Sequence, residues 1–218
     1  MSISGIILAA GSGKRTGLKY NKVLYEINGK KVIDYSIDSF KKYTKITELI
    51  LVVSEEEFEY FSSRYKSKIN HIIIGGKERQ DSVFKALQKA KNDYVLVHDG
   101  ARPYLPEHSM KDLLSDLTNH SSLTLGVKVK DTIQEVSGNR VVKTLDRSNL
   151  IMVQTPQAFK KDILLKSHLL AQKANFIGTD DTVLLERFMD IKAVVIEGDY
   201  RNIKLTTLED IKILEVIL

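Results

Sequence analysis

Short apolar runs recur along the chain, at Ile6-Ile7-Leu8, Leu49-Ile50-Leu51-Val52-Val53, Ile72-Ile73-Ile74, Tyr94-Val95-Leu96-Val97 and Leu123-Thr124-Leu125-Gly126-Val127. They are continuous rather than alternating with polar residues, which predicts strands buried on both faces. Between them apolar residues fall at helical spacing, as in Val32, Ile33, Tyr35 and Phe40, in Phe58, Phe61 and Tyr65, and in Val83, Phe84, Leu87 and Ala90. Buried strands alternating with amphipathic helices predict an α/β fold with a doubly wound, mostly parallel, Rossmann-like sheet. Ligands of such sheets lie outside the carboxyl ends of the strands, so the segments that follow each strand are where chemistry is sought.

The rhythm breaks once, between about 129 and 155. Lys130 to Val136, the turn Ser137-Gly138-Asn139, and Arg140 to Leu145 read as a β-hairpin with alternating side chains and a glycine turn. A two-stranded ribbon is marginal alone in water and needs something to pack on, for which a partner subunit is the economical answer. Helices are expected again at about 160–173 and 180–189, with a strand at Ala193-Val194-Val195-Ile196. A last helix opens after Thr206-Thr207, with Glu209 in capping range. No Pro/Gly/Ser-rich linker, internal repeat or low-complexity stretch divides residues 1–218. One domain carrying a β-arm at about 129–150 is therefore expected.

Composition narrows the chemistry. The chain has 218 residues, ample for a core without staples, and its lack of cysteine excludes disulfides, thiolate metal sites and a cysteine nucleophile. The five histidines form no His-x-x-x-His or His-x-His pair, which argues against a zinc centre. The net charge of +5 comes without an aromatic-interleaved basic run or a DNA-binding motif, so a small polyphosphate suits it better than nucleic acid. No apolar run approaches a membrane span and no basic leader precedes the first strand, so a cytoplasmic protein without a membrane partner is expected.

The loop after the first strand is the most informative. Leu8-Ala9-Ala10-Gly11-Ser12-Gly13-Lys14-Arg15 lets the backbone approach a ligand closely and supplies charge suited to phosphate. It is not a P-loop, because Leu8 stands where the first glycine belongs and Arg15 where the hydroxyl belongs. Nor is it a dinucleotide fingerprint, because Thr16 replaces the third glycine. A nucleoside triphosphate site remains, with a generic strand-to-helix turn as its plain alternative.

Further clusters follow the other strands. Lys22 lies on the same connection as Arg15 and could close over phosphates, although lone lysines are usually solvated. Gly75-Gly76-Lys77-Glu78-Arg79-Gln80-Asp81-Ser82 can fold against a flat base with Ser82 as hydrogen-bonding partner, or be a simple turn into a helix. In His98-Asp99-Gly100-Ala101-Arg102-Pro103, Asp99 faces the expected triphosphate as a carboxylate suited to Mg²⁺, an ion pair with Arg102 being the alternative. His98 reads as a packed core histidine. Asp146-Arg147-Ser148 offers a bidentate fork for phosphate, or an internal pair with Asp146. Gly178 to Thr182 reads as a helix start whose acids complement the dipole, and Lys204 adds a point charge near the ligand edge.

In order, these strings resemble the 2-C-methyl-D-erythritol 4-phosphate cytidylyltransferase family, the matches extending through Val129-Lys130-Asp131-Thr132, Leu145-Asp146-Arg147-Ser148, Gln154-Thr155-Pro156-Gln157-Ala158-Phe159 and Asn202-Ile203-Lys204-Leu205-Thr206. They span essentially the whole chain, and together they are specific where singly they are weak. The resemblance implies an enzyme that joins CTP to a polyol phosphate with Mg²⁺ and releases pyrophosphate. Arg15 and Lys22 would stabilise the transition state at the α-phosphate, and Arg147 and Lys204 would position the substrate phosphate. Ala9, Ala10, Gly11, Gly13, Gly76 and Ser82 would contact CTP. Asp99, Arg102, Thr132 and Thr155 would line the sugar and methylerythritol side, with Asp99 also as metal ligand. The family's embracing dimer would place Thr132 and Arg147 in the neighbour's site.

The sequence departs from the family at Asn21-Lys22-Val23, where many members have proline before the lysine, so this loop is expected to order on binding. Lys77 and Arg201 stand where acidic residues are common. A ribitol-5-phosphate cytidylyltransferase is the nearest rival reading, and a non-catalytic CTP-binding module is the rival from another class.

Overall fold

A computed structural model describes residues 1–11, 18 and 20–218 of the chain. Gly13 and Arg15 lie outside the described residues. The elements run β1 (Ile3–Leu8), β2 (Glu26–Ile27), β3 (Lys30–Lys31), α1 (Val32–Lys41), β4 (Ile46–Val53), α2 (Phe58–Tyr65), β5 (His71–Ile74), α3 (Arg79–Lys89) and β6 (Tyr94–Asp99). They continue with α4 (Glu107–Asp116), β7 (Ser122–Lys128), β8 (Gln134–Ser137), β9 (Arg140–Thr144), β10 (Ile151–Lys160), α5 (Lys161–Lys173), α6 (Asp181–Met189), β11 (Val194–Glu197) and α7 (Leu208–Ile217).

A seven-stranded sheet has the order β11-β7-β10-β6-β1-β4-β5. All its neighbours pair in parallel except β10, which runs antiparallel to both β6 and β7. The two-residue period of the strands divides the core between the faces. Ile3 and Ile7 pack in the cluster that holds Ile33, Ile37 and Phe40 of α1, whereas Ile6 packs with Val83, Ala86 and Leu87 of α3. Gly5 permits the approach of α1, since a Cβ there would lie 2.6 Å from the Phe40 ring.

The expected mostly parallel α/β architecture is therefore present, with instructive differences. Thr155-Pro156-Gln157 lies inside β10, the antiparallel strand that the apolar runs did not predict. Its run mixes Gln154, Thr155 and Gln157 with apolar residues, and these buried polar side chains are hydrogen-bonded within the fold, except that Gln157 Oε1 has no partner among the described residues. The small β2 and β3 pair turns through Asn28 and Gly29, both at positive φ (51° and 76°). The last helix is capped by Thr207 with Asp210, not Glu209; Asp210 Oδ2 accepts from the backbone of Thr206 and Thr207 at 2.7 and 2.8 Å. Among the described residues no helix is long and apolar enough to cross a membrane.

The hairpin forms as β8 and β9, turning through Gly138 at φ 58°, with a first strand shorter than expected. It is a separate two-stranded sheet. Its Val136, Val141 and Val142 are 61%, 54% and 61% exposed, so among the described residues nothing covers these apolar side chains of the ribbon.

Candidate active site

The strand ends build the site. Leu8 of β1 and Asp99 of β6 are register partners at the carboxyl edge, and the chain leaving each strand is pinned to its neighbour. Ala9 N donates to Val52 O at 2.7 Å, Gly75 N to Val53 O at 2.8 Å and Gly100 N to Leu8 O at 2.9 Å. A cavity of about 460 Å³ opens there, lined by Ala9, Ala10 and Gly11 and by Gly76 and Ser82. Lys22, Lys77, Arg79, Asp99 and Lys204 share the same lining. Most of this set was expected from the sequence, and the fold brings those residues together.

The Gly76 turn is both a helix start and part of the cleft. Glu78 and Asp81 form a reciprocal capping box at the start of α3. Ser82 Oγ accepts from Gly76 N at 3.0 Å and donates to Glu78 O at 3.2 Å. A Cβ on Gly76 would lie 2.2 Å from Asp81 Cβ, so only glycine lets the turn close this tightly.

Lys22 begins a single 3-10 turn capped by Asn21, and both residues are buried. Asn21 Nδ2 donates to Ala9 O at 2.7 Å and to Glu57 Oε2 at 2.8 Å, while its Oδ1 accepts from Val23 N at 3.2 Å. Side-chain hydrogen bonds thus hold Asn21 to the β1 loop at the position where many family members have proline. Residues 12–17 and 19 lie outside the described residues.

Asp99 is the electrostatic centre. Its Oδ2 accepts from Lys204 Nζ at 2.7 Å, and its Oδ1 faces Arg79 Nε at 3.4 Å. Arg102 Nε stands 3.9 Å away, so the anticipated Asp99–Arg102 pair exists but is the loosest of the contacts. Burial alone would raise the Asp99 pKa, but the charges of Arg79, Lys204 and Arg102 outweigh it and hold the carboxyl well below its usual range. Because both oxygens already face cations, Asp99 does not fit as a metal ligand. Among the described residues, no group of three or more carboxylate or imidazole side chains could hold a metal ion.

Beneath Asp99 lies a neutral hydrogen-bond chain. His98 Nε2 meets Arg102 O at 3.1 Å, His98 Nδ1 meets Thr155 Oγ1 at 3.0 Å, and Thr155 Oγ1 accepts from Asp99 N at 3.0 Å. These partners suit the tautomer in which Nε2 carries the proton and Nδ1 accepts from the threonine hydroxyl. Burial pushes the His98 pKa down to about 4, consistent with a packed core histidine. Thr155, expected to line the substrate side, is buried and braces Asp99 from behind instead.

The segment carrying Lys204 is laced to the β6 loop. Arg102 Nη1 donates to Asn202 O at 2.6 Å, Leu205 N to Ala101 O at 2.8 Å, and Asn202 Nδ2 to Thr155 O at 2.9 Å. Arg102 therefore supports the Lys204 loop and does not line the cleft. Thr132 and Arg147 stand exposed on the arm, away from the cleft lining of their own chain. Arg147 does not pair with Asp146; its Nη1 donates to Lys130 O, while Asp146 caps the following turn. Arg201, at a departing position, pairs with Asp199 and lies over the Tyr104 ring.

Sequence reasoning missed Arg79 and Asp181. Arg79 Nη1 donates to Asp181 Oδ2 at 2.6 Å, and Asp181 Oδ1 faces His168 Nε2 at 3.1 Å. Asp181 was expected only to complement the α6 dipole, a role that its neighbour Asp180 fills as N-cap. The available signal was Arg79 itself, a cation in a glycine-rich segment that follows a strand.

The chain matches the family described as 2-C-methyl-D-erythritol 4-phosphate cytidylyltransferase over residues 3–218. It is 44% identical to the protein of that name from Bacillus mycoides, across 98% of this chain and 96% of that protein. It is 41% identical to the one from Geobacillus kaustophilus, across 100% of this chain and 97% of that protein. Among solved structures it is similar to the 4-diphosphocytidyl-2C-methyl-D-erythritol synthase of Anaerococcus prevotii, with a TM-score of 0.87 and 31% identity over 99% of this chain and 97% of that one.

Proposed function

The chain belongs to the 2-C-methyl-D-erythritol 4-phosphate cytidylyltransferase family, and from that membership we propose how its cleft carries out the reaction. The reaction joins CTP to 2-C-methyl-D-erythritol 4-phosphate, giving 4-diphosphocytidyl-2-C-methyl-D-erythritol and pyrophosphate. The observation that carries the assignment of roles is the meeting of the Ala9 to Gly11 backbone with Lys22, Arg79, Lys204 and Asp99 in one cleft.

The substrate phosphate is already an oxyanion, so the transfer needs neither a covalent enzyme intermediate nor a general base. A phosphate oxygen forms a bond to the α-phosphorus of CTP, the bond to the β-phosphate bridge breaks, and pyrophosphate leaves with the electron pair. Catalysis then rests on alignment and on charge neutralisation. Lys22, buried beside the Ala9 loop, supplies charge at the α-phosphate together with Arg15. Lys204, held by Asp99, orients the incoming phosphate. The Gly76 and Ser82 turn receives the cytosine. Mg²⁺ arrives with the triphosphate as part of the substrate, since Asp99 is committed to cations.

The arm extends this reading. A ribbon with uncovered valines, continuous with exposed Ile151, Met152 and Val153, favours a homodimer in which Thr132 and Arg147 serve the partner's cleft. The protein is proposed to work in the cytoplasm, where CTP is available.

Pyrophosphate release is measured with CTP and, in parallel, methylerythritol 4-phosphate, ribitol 5-phosphate or no acceptor. Release with methylerythritol 4-phosphate is expected. Release with ribitol phosphate alone would assign the sister activity, and CTP binding without release would leave only a binding module.

A further inference from the structure

The charged groups of the cleft are tied to a residue that does not touch it. Asp181 is the first residue of α6 and is fully buried. Its two oxygens take Arg79 Nη1 at 2.6 Å and His168 Nε2 at 3.1 Å. Arg79 Nε reaches Asp99 Oδ1 at 3.4 Å, and Asp99 Oδ2 holds Lys204 Nζ at 2.7 Å. A continuous polar chain thus runs from α5 to the cleft. Separately, Gln80 fastens α3 to the segment before α6, donating to Phe176 O at 3.0 Å and accepting from Gly178 N at 2.9 Å.

We propose that Asp181 is a positioning residue for the transfer: it holds Arg79 back from Asp99 and so reserves Asp99 Oδ2 as the seat of Lys204. Arginine's planar fork favours two parallel hydrogen bonds to one carboxylate. In the structure the fork is divided, with its short bond on Asp181 and only a long contact on Asp99. Without the Asp181 charge, the partly buried guanidinium, its side chain 29% exposed, keeps Asp99 as its remaining ion-pair partner and closes on it with both nitrogens. Lys204, whose side chain is 35% exposed, then gives way to water. The ammonium leaves the place where it would meet the substrate phosphate, which rests on the reading of Lys204 given above.

The test is Asp181→Asn, nearly isosteric and uncharged, with both substrates varied and thermal unfolding recorded. The KM for methylerythritol 4-phosphate is expected to rise about tenfold, equivalent to about 1.4 kcal/mol, while the KM for CTP and kcat change less than about threefold. Asp181→Glu restores part of the loss. Gln80→Ala, which loosens the same helix contact without touching the charges, lowers the unfolding temperature and leaves KM in place. The proposal is overturned if Asp181→Asn shows wild-type constants, or loses kcat only in proportion to its unfolded fraction. A wild-type crystal structure with CTP provides a readout that does not depend on the variant folding. Arg79 must remain hydrogen-bonded to Asp181 there, and an Arg79 swung onto the triphosphate overturns the proposal. Lys204→Ala run in parallel separates the two readings: if it leaves the KM for the acceptor unchanged, the role of Lys204 falls, and the crystal structure alone decides that of Asp181.

Discussion

Acidification should weaken the protein through one buried imidazole before any site carboxylate is protonated. His98 is held neutral by burial, with a pKa near 4 against 6.5 for the free side chain. Below pH 6.5 the unfolded chain takes up a proton here and the folded chain does not, so the unfolded state binds more protons and stability falls as pH falls. The contribution is fully present above 6.5, declines through the window down to about 4, and levels off below it. Linkage gives a loss of about 2 kcal/mol between about pH 7.5 and about pH 5. Asp99 and Asp181, whose pKa values are lowered, add their own losses only below the ordinary carboxylate value of 3.8, outside that window. Urea unfolding of wild type and His98→Gln across the window reads the effect as a difference of slopes, so the other histidines cancel. Glutamine keeps a donor for Arg102 O but cannot titrate. An NMR midpoint for the His98 ring near 6.5, or equal slopes in the two proteins, would refute the reasoning.

Three further outcomes follow from the site. Gly76→Ala must push Asp81 and the first turn of α3 aside, costing about 1–3 kcal/mol of stability; its kcat/KM for CTP should fall towards that for UTP, and unchanged preference would remove this turn from base recognition. Lys22→Ala should lower kcat by roughly 10²–10³ with a much smaller change in CTP affinity, and near-normal turnover would exclude Lys22 from the chemistry. Mixing inactive Lys22→Ala and Arg147→Ala chains should regain activity, because one site of the heterodimer then carries neither change; if subunits exchange and both variants are folded, continued inactivity would place Arg147 in its own chain's site.

The parallel half of the sheet was legible because its strands are uninterrupted apolar runs, and their helices show a single apolar stripe. β10 was not, since Gln154, Thr155 and Gln157 look like loop residues until their partners across the sheet are known. The same limit applies in the cleft. Ala9 to Gly11, Gly76, Ser82, Lys22 and Lys204 carry their chemistry on the surface of the sequence, as small residues after strands and cations near them. Thr155 and Arg102 have equally suggestive types, but the fold turns them to bracing Asp99 and the Lys204 loop. Arg79 and Asp181, 102 positions apart, become a pair only when α5, which packs against both α3 and α6, brings the starts of those two helices together.

The arm is a lever rather than a tether. β7 and β10 stay paired as far out as Lys128 and Ile151, beyond the last β6 partner of β10, so the ribbon springs from a stiff two-stranded tongue. Its bearing is set where Gly126 lies beneath Ile151 and Val195; a Cβ on Gly126 would approach their methyl groups at 2.8 and 3.3 Å. A methyl added at that crossing would shift the bearing of the arm without touching the cleft lining of its own chain. In the proposed dimer, where Thr132 and Arg147 of the arm serve the partner's cleft, that crossing would tie the angle between protomers to the placement of two site residues.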